Sequence, residues 1–222
     1  MEDVNDWYEL MAYIINKNQQ GYLPPVKFNL VINQGQYSYQ SFLLGSFQSY
    51  MNGRPVARVE LGNNAVVRQR LAPTIKKSTL TIDATGNADY PANFLQSDSM
   101  HNTAMKRVRL VQQDSLDANY NSVIDPIATN PIYLIEDTRF QFYPLTLGSA
   151  KLSFVKKAPL IVWGYTPDAN GRPIYNVGTS VQPVWDSVAK FEIISRALKL
   201  VGINLQSSAV IQLSNQIQTQ GQ

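Results

Sequence analysis

The sequence predicts an α+β protein: N- and C-terminal helices forming a helical bundle, with an inserted antiparallel β-meander or small sandwich. Three observations predict it. Across residues 7–15 and again across 184–201, apolar residues recur every three or four positions, which is the spacing of one helix face. Between Asn130 and Trp163 they fall at alternate positions instead, in the runs 132–135, 140–143 and 150–155, the period of a strand with one buried face. The separators, Glu136-Asp137-Thr138 and residues 144–148, are turn-forming, so the runs read as consecutive strands.

Taken in order, the first helix carries Trp7, Leu10, Met11, Ile14 and Ile15 on one face, has acids in its first turn and ends before Gly21. Pro24-Pro25 restarts the chain, and Phe28, Ile32, Gly35, Tyr39 and Phe42 make the apolar face of a second helix with Pro25 at its first position. Glycine costs about 1 kcal/mol relative to alanine in an exposed helix, so Gly35 on the apolar face implies a closely packed neighbour. These two helices are expected to pair antiparallel. Residues 77–83 and 107–111 alternate as strands, residues 89–95 read as a loop with a hydrophobic anchor, and 114–120 read as a short helix capped by Asp114.

Asn170-Gly171, between the runs 161–163 and 174–177, is a type I′ hairpin signal. A third helix begins at Pro183, with Val184, Val188, Phe191, Ile194, Leu198 and Val201 on its inward face and Gly202 as its stop, and Asn204 can cap a fourth. The domain boundaries that follow are 1–52 with 183–222 for the helices and their tail, 53–76 for a connector, and 77–182 for the β-rich region.

A chain of 222 residues accommodates one large or two modest domains. Charged residues are 16% of it, against about 25% in ordinary soluble domains. Its 18 asparagines and 18 glutamines rival 19 basic and 16 acidic side chains. A polar but uncharged surface tolerates burial against a partner, which suits a large assembly interface; it equally suits a low-charge monomer. The absence of cysteine excludes disulfides, thiolate nucleophiles and thiolate metal sites.

His101 is the single histidine, so no multi-histidine metal site exists, and the run Ser97-Asp98-Ser99-Met100-His101 lacks the context of a nucleophile elbow. No phosphate-binding loop, dinucleotide fingerprint or EF-hand loop occurs. The chain is read as no enzyme, with no cofactor, metal or catalytic residue. The start of the chain has no signal-like pattern, and no apolar run reaches the roughly 20 residues of a membrane helix, so a soluble protein made in the cytoplasm and without membrane contact is expected.

Two stretches carry functional expectations. Arg54, Arg58, Arg68, Arg70, Lys76 and Lys77 face one acid, Glu60, making the segment locally +5. Clustered cations of this kind engage phosphates or an acidic partner, and equally serve a solvated connector or salt bridges between subunits. No charged residue follows Lys199. The stripe Val210, Leu213 and Ile217, with Leu205 and Ile211, is a candidate for docking into a partner; a frayed tail is the ordinary alternative.

The N-terminal pattern Tyr13-Ile14-Ile15-Asn16-Lys17, Gly21-Tyr22, Pro25 to Phe28-Asn29, Ile32-Asn33-Gln34, Leu43-Leu44-Gly45 and Gly53-Arg54-Pro55 resembles structural proteins of crAss-like and related tailed phages of Bacteroidetes. So do Tyr90-Pro91 with Phe94-Leu95, Asn130-Pro131-Ile132-Tyr133, Tyr143-Pro144 and the terminal Val210-Ile211-Gln212-Leu213-Ser214-Asn215-Gln216. The likeness is one of pattern and spans nearly the whole chain. It implies a virion protein, a ring or adaptor of the head–tail connector present as a homododecamer around the DNA channel. Its partners would be the portal, neighbouring tail rings and, non-specifically, the passing DNA. The competing class is a carbohydrate- or receptor-binding β module of a phage tail using Trp163, Trp185 or tyrosines as stacking platforms. A cellular nucleic-acid binder using residues 54–77 fits less well with a net charge of only +3.

Overall fold

A computed structural model describes residues 3–17, 21–45, 65–119 and 126–201. The described residues form helices α1 (Val4–Lys17), α2 (Pro25–Leu44), α3 (Ala65–Leu71), α4 (Gln113–Asn119) and α5 (Ser187–Leu200). The strands are β1 (Ile75–Thr81), β2 (Asn87–Asp89), β3 (Phe94–Asn102), β4 (Arg109–Leu110), β5 (Ile132–Ile135), β6 (Arg139–Tyr143), β7 (Ser149–Lys156), β8 (Tyr165–Pro167) and β9 (Pro173–Tyr175). The class is α+β with predominantly antiparallel sheets. Two compact units result, a helical one from residues 1–73 and 158–222 and a β-rich one from 74–157.

In the helical unit α1 buries Val4, Trp7, Met11 and Ile15, as its periodicity predicts. Helix α2 starts at Pro25 and buries Phe28, Ile32, Gly35 and Tyr39, whereas Phe42, expected on the same face, is exposed. Its main partner is α5, which corrects the expected pairing with α1; α1 meets α2 through Tyr8, edge-on to Phe28 at 5.2 Å. Gly35 is the reason. A Cβ there would lie 2.8 Å from the Ile193 carbonyl and 3.1 Å from Ala197 Cβ, so its absence lets the two helices approach backbone to backbone. Helix α5 begins later than Pro183, at Ser187, where the Asp186 carboxylate accepts a hydrogen bond from the Ala189 N–H at 2.9 Å. It buries Ala189, Ile193, Ile194, Ala197 and Leu198. The expected stripe is therefore rotated: small Ala197 serves the close crossing at Gly35, Ala189 is buried, and Val188 and Phe191 are left exposed.

Residues 158–182, expected with the β region, group with the helices. Their tie is a row of carboxamides on α2. Asn29 and Trp163 exchange both backbone bonds (N–H to Oδ1 2.7 Å, Nδ2 to carbonyl 3.3 Å), and Asn33 does the same with Ile161 (2.9 and 2.7 Å). Gln36 donates to the Pro159 carbonyl at 3.0 Å, and Gln40 accepts from the Ala158 N–H at 3.2 Å. The segment runs antiparallel to α2, and the spacings match: four helical residues rise about 6 Å, and two extended residues about 6.6 Å. Beyond it, β8 and β9 form a hairpin whose connection, closed by the Asp168 carboxylate on the Asn170 and Arg172 N–H groups, is longer than a two-residue turn.

In the β unit, β7 lies between β1 and β3, and a second sheet has the order β2-β6-β5-β4. Strands β5 and β6 pair antiparallel as their sequence predicts, but β7 belongs to the other sheet, which corrects the three-strand meander. The five residues between β6 and β7 are a crossing and not a tight turn. Both sheets contribute to one core, with Leu80, Met100, Leu152 and Phe154 from the first and Ala88, Tyr133, Phe140 and Phe142 from the second. Phe140 is its centre, with ring centroids of Tyr90, Phe94, Tyr133 and Phe142 at 4.5, 5.2, 5.7 and 6.2 Å. Strand β5 is buried on both faces, because Ile132 and Leu134 pack on the far side against Leu116 of α4. The residues expected as an anchored loop contain the start of β3, and the expected strand at 107–111 is the short β4, parallel to β5.

Candidate functional site

The basic segment is divided by the structure. Arg54 and Arg58 lie outside the described residues, as do Leu205, Val210, Ile211, Leu213, Ile217 and the expected fourth helix. Arg68 and Arg70 belong to α3 in the helical unit, whereas Lys76 and Lys77 belong to β1 in the β unit. Arg70 reaches Glu192 of α5 at 3.7 Å, Glu192 reaches Arg196 at 3.6 Å, and the Arg196 guanidinium lies over the Phe42 ring at 4.6 Å. This half-exposed chain of charges links α3 to α5, so Arg70 already has a partner within the protein. Lys76 and Lys77 are exposed and sit opposite Phe154 and Ser153 of β7.

Charge also separates along the β unit. Asp83, Asp89, Glu136 and Asp137 cluster around the β2–β6 edge, where Arg139 pairs with Glu136 at 2.6 Å. The Asp83 carboxyl is held below the usual carboxylate range, first by the Asn87 N–H and then by the Thr85 hydroxyl. The opposite character appears on the outer face of the β1-β7-β3 sheet, where Lys77, Lys151, His101 and Arg107 are placed together by strand register. Of these, only Lys77 is among the basic residues given a partner-binding role in the sequence reading. The others stand far apart along the chain, and pairing alone brings them together.

Several readings can be tested against the geometry. Of the serine–histidine run, Ser97 accepts from the Tyr133 hydroxyl at 3.1 Å, and Asp98 accepts from the Ser153 hydroxyl at 2.9 Å. Asp98 thus orients a serine rather than His101. Burial pushes the Tyr133 hydroxyl up, with Ser97 and Arg107 opposing it. Among the described residues no group of three or more histidines, aspartates or glutamates is placed to hold a metal ion, and no helix is long and apolar enough to cross a membrane.

A cavity of about 360 Å³ beside β4 is lined by Arg109, Gln112, Ser115 and Asn130 together with apolar side chains. Among the described residues that line it, Arg109 is the only charged one, so those residues present no acid–base pair. The tryptophans proposed as stacking platforms are 4% and 3% exposed; Trp163 is stacked on Tyr8 at 4.3 Å and donates to Asn5, and Trp185 donates to Gln36. Their faces serve the interior of the helical unit. No family model matches the chain, and no curated protein shows significant similarity to it.

Proposed function

We propose that this protein is a structural virion protein, a ring or adaptor of a phage head–tail connector that assembles as a homododecamer around the DNA channel and joins portal to tail. On this reading the helices of both ends make the bundle, the β unit is the inserted small sandwich, and assembly occurs in the cytoplasm of the host bacterium. The observation that carries it is the apolar surface left open by the helical unit. Val188 and Phe191 are 62% and 67% exposed on one face of α5, and Val26 and Leu30 are 66% and 65% exposed on one face of α2. Paired apolar side chains of this kind supply subunit contacts, and a low overall charge removes the repulsion that would oppose them. The uncharged stripe Val210, Leu213 and Ile217 is the proposed docking element for the portal. Arg54, Arg58 and Arg68 remain proposed contacts to DNA or a neighbouring subunit.

Light scattering and negative-stain imaging of the full chain, alone and mixed with portal, test the reading. A closed ring of about twelve copies is expected in one of the two conditions. Deleting residues 206–222 should leave a folded protein that no longer joins the portal. A chain that remains monomeric in both conditions overturns the proposal.

A further inference from the structure

We infer that the outer face of the β1-β7-β3 sheet binds the sugar–phosphate backbone of nucleic acid without reading its sequence. Register builds the site. Lys151 of β7 stands between Thr79 of β1 and His101 of β3, and His101 in turn bridges to Arg107. Leu152, Met100 and Val108, each adjacent in sequence to one of these residues, point into the core, so Lys151, His101 and Arg107 share the outward side. Lys77 lies two residues before Thr79 on β1, opposite Ser153, which makes it a diagonal neighbour of Lys151.

Lys77, Lys151 and Arg107 are exposed, and none of them is in an ion pair among the described residues. The acid nearest in register, Asp98, is engaged by the Ser153 hydroxyl. Of the remaining outward positions, Thr79, Thr81, Ser99 and Ser149 carry hydroxyls, whereas Ile75 and the buried Val155 end the face at its other extremity. No aromatic ring is among the outward residues named, so there is no stacking platform for bases.

The chemistry selects a polyanion of high charge density. Strands are about 4.8 Å apart, so the row from Lys151 to Arg107 spans roughly 10 Å. Duplex DNA carries one charge per about 1.7 Å of axis and offers more phosphates in that span than these cations can neutralise. Any register along the duplex then satisfies them, and the hydroxyls add hydrogen bonds to phosphate oxygens. The inference stands on pairing geometry and holds whether or not the chain forms a ring.

Anisotropy of a short labelled mixed-sequence duplex, titrated with the full chain, tests it. With three cations engaged, affinity should fall about 40-fold between roughly 50 and 200 mM salt, a log–log slope near −2.7. Replacing Lys77, Lys151 and Arg107 together by glutamine should abolish that binding, whereas K17Q with K27Q, at exposed positions of α1 and α2, should leave the slope unchanged. Near-ultraviolet dichroism establishes that the triple variant is folded, and K151E alone, at one exposed position, should weaken binding and reduce the slope if the triple variant is not. Unchanged affinity and slope in K151E or in the folded triple variant overturn the inference. So does binding to poly-glutamate with none to DNA, which would mark the face as a site for an acidic protein.

Discussion

Next to α2 the helical unit is filled by carboxamides. Asn29, Asn33, Gln36 and Gln40 pair with backbone groups of Ala158, Pro159, Ile161 and Trp163 in an irregular segment. The β unit keeps its backbone in ladders and fills its interior with rings, Phe140 at the centre of Tyr90, Phe94, Tyr133 and Phe142. The first interior depends on direction, since each amide must meet a particular N–H or carbonyl. The second depends on volume. Apart from the single bridge of Val162 to Val181, an irregular segment can thus be held where a neighbouring helix supplies the donors and acceptors that a ladder would.

The contrast can be broken most severely in the β unit. Phe140→Ala should destabilise it by about 3–5 kcal/mol, because one truncation strips contacts from several rings at once; hydrogen exchange at the β6 and β7 amides is the measurement. Asn33→Leu keeps much of the volume but strands the Ile161 N–H and carbonyl. At about 1–3 kcal/mol for an unpaired buried group, a loss of about 2–4 kcal/mol is expected. Every tryptophan of the chain, Trp7, Trp163 and Trp185, lies in the helical unit, so the urea midpoint read by tryptophan fluorescence should fall. A neutral Asn33→Leu would mean that volume governs both interiors.

Gly35→Ala sharpens the comparison further, because helix propensity and packing oppose each other there. Alanine gains about 1 kcal/mol of propensity, while the added methyl meets the Ile193 carbonyl, a backbone atom that cannot rotate away. Overpacking of this kind costs about 1–3 kcal/mol, so net destabilisation is expected, smaller than for Asn33→Leu.

How much of this was legible depended on whether structure followed a simple period. The inward faces of α1, α2, β6 and β7 were readable because Trp7, Met11 and Ile15 repeat with the helix, and Phe140 and Phe142 with the strand. Strand β3 escaped because its pairing with β7 shifts register at Phe94/Gln96 and at Ser97/Ser99, which interrupts the alternation a reader would look for. The α5 stripe lies elsewhere than its large apolar residues Val188 and Phe191 suggest, because the close crossing at Gly35 demands the small Ala197. The carboxamide row is present in the sequence, since Asn29, Asn33, Gln36 and Gln40 carry helical spacing, but apolar periodicity does not reveal a polar stripe. The cationic sheet face was not legible, since Lys151, His101 and Arg107 become neighbours only through strand pairing.

Alkaline pH separates hydrogen bonding from burial at one residue. The Tyr8 hydroxyl donates to the Leu23 carbonyl at 2.9 Å, and its ring stacks on Trp163. Burial, reinforced by Tyr22, pushes this hydroxyl above the ordinary tyrosine value, which is near 10. A raised value in the folded state means that the unfolded chain gives up its proton first. The stability attached to protonated Tyr8 is therefore complete below about pH 10 and is lost as pH rises from there through the folded value. Tyr8→Phe should cost about 0.5–1.5 kcal/mol at neutral pH, the worth of one hydrogen bond. The variant has no proton to lose, so its stability should fall less steeply above pH 10, and the gap between the two proteins should narrow and then reverse. Urea midpoints followed by tryptophan fluorescence across that range decide the matter. A gap that stays constant with pH would show that the hydroxyl is open to solvent in the folded protein and that the Leu23 hydrogen bond does not hold α1 to the start of α2.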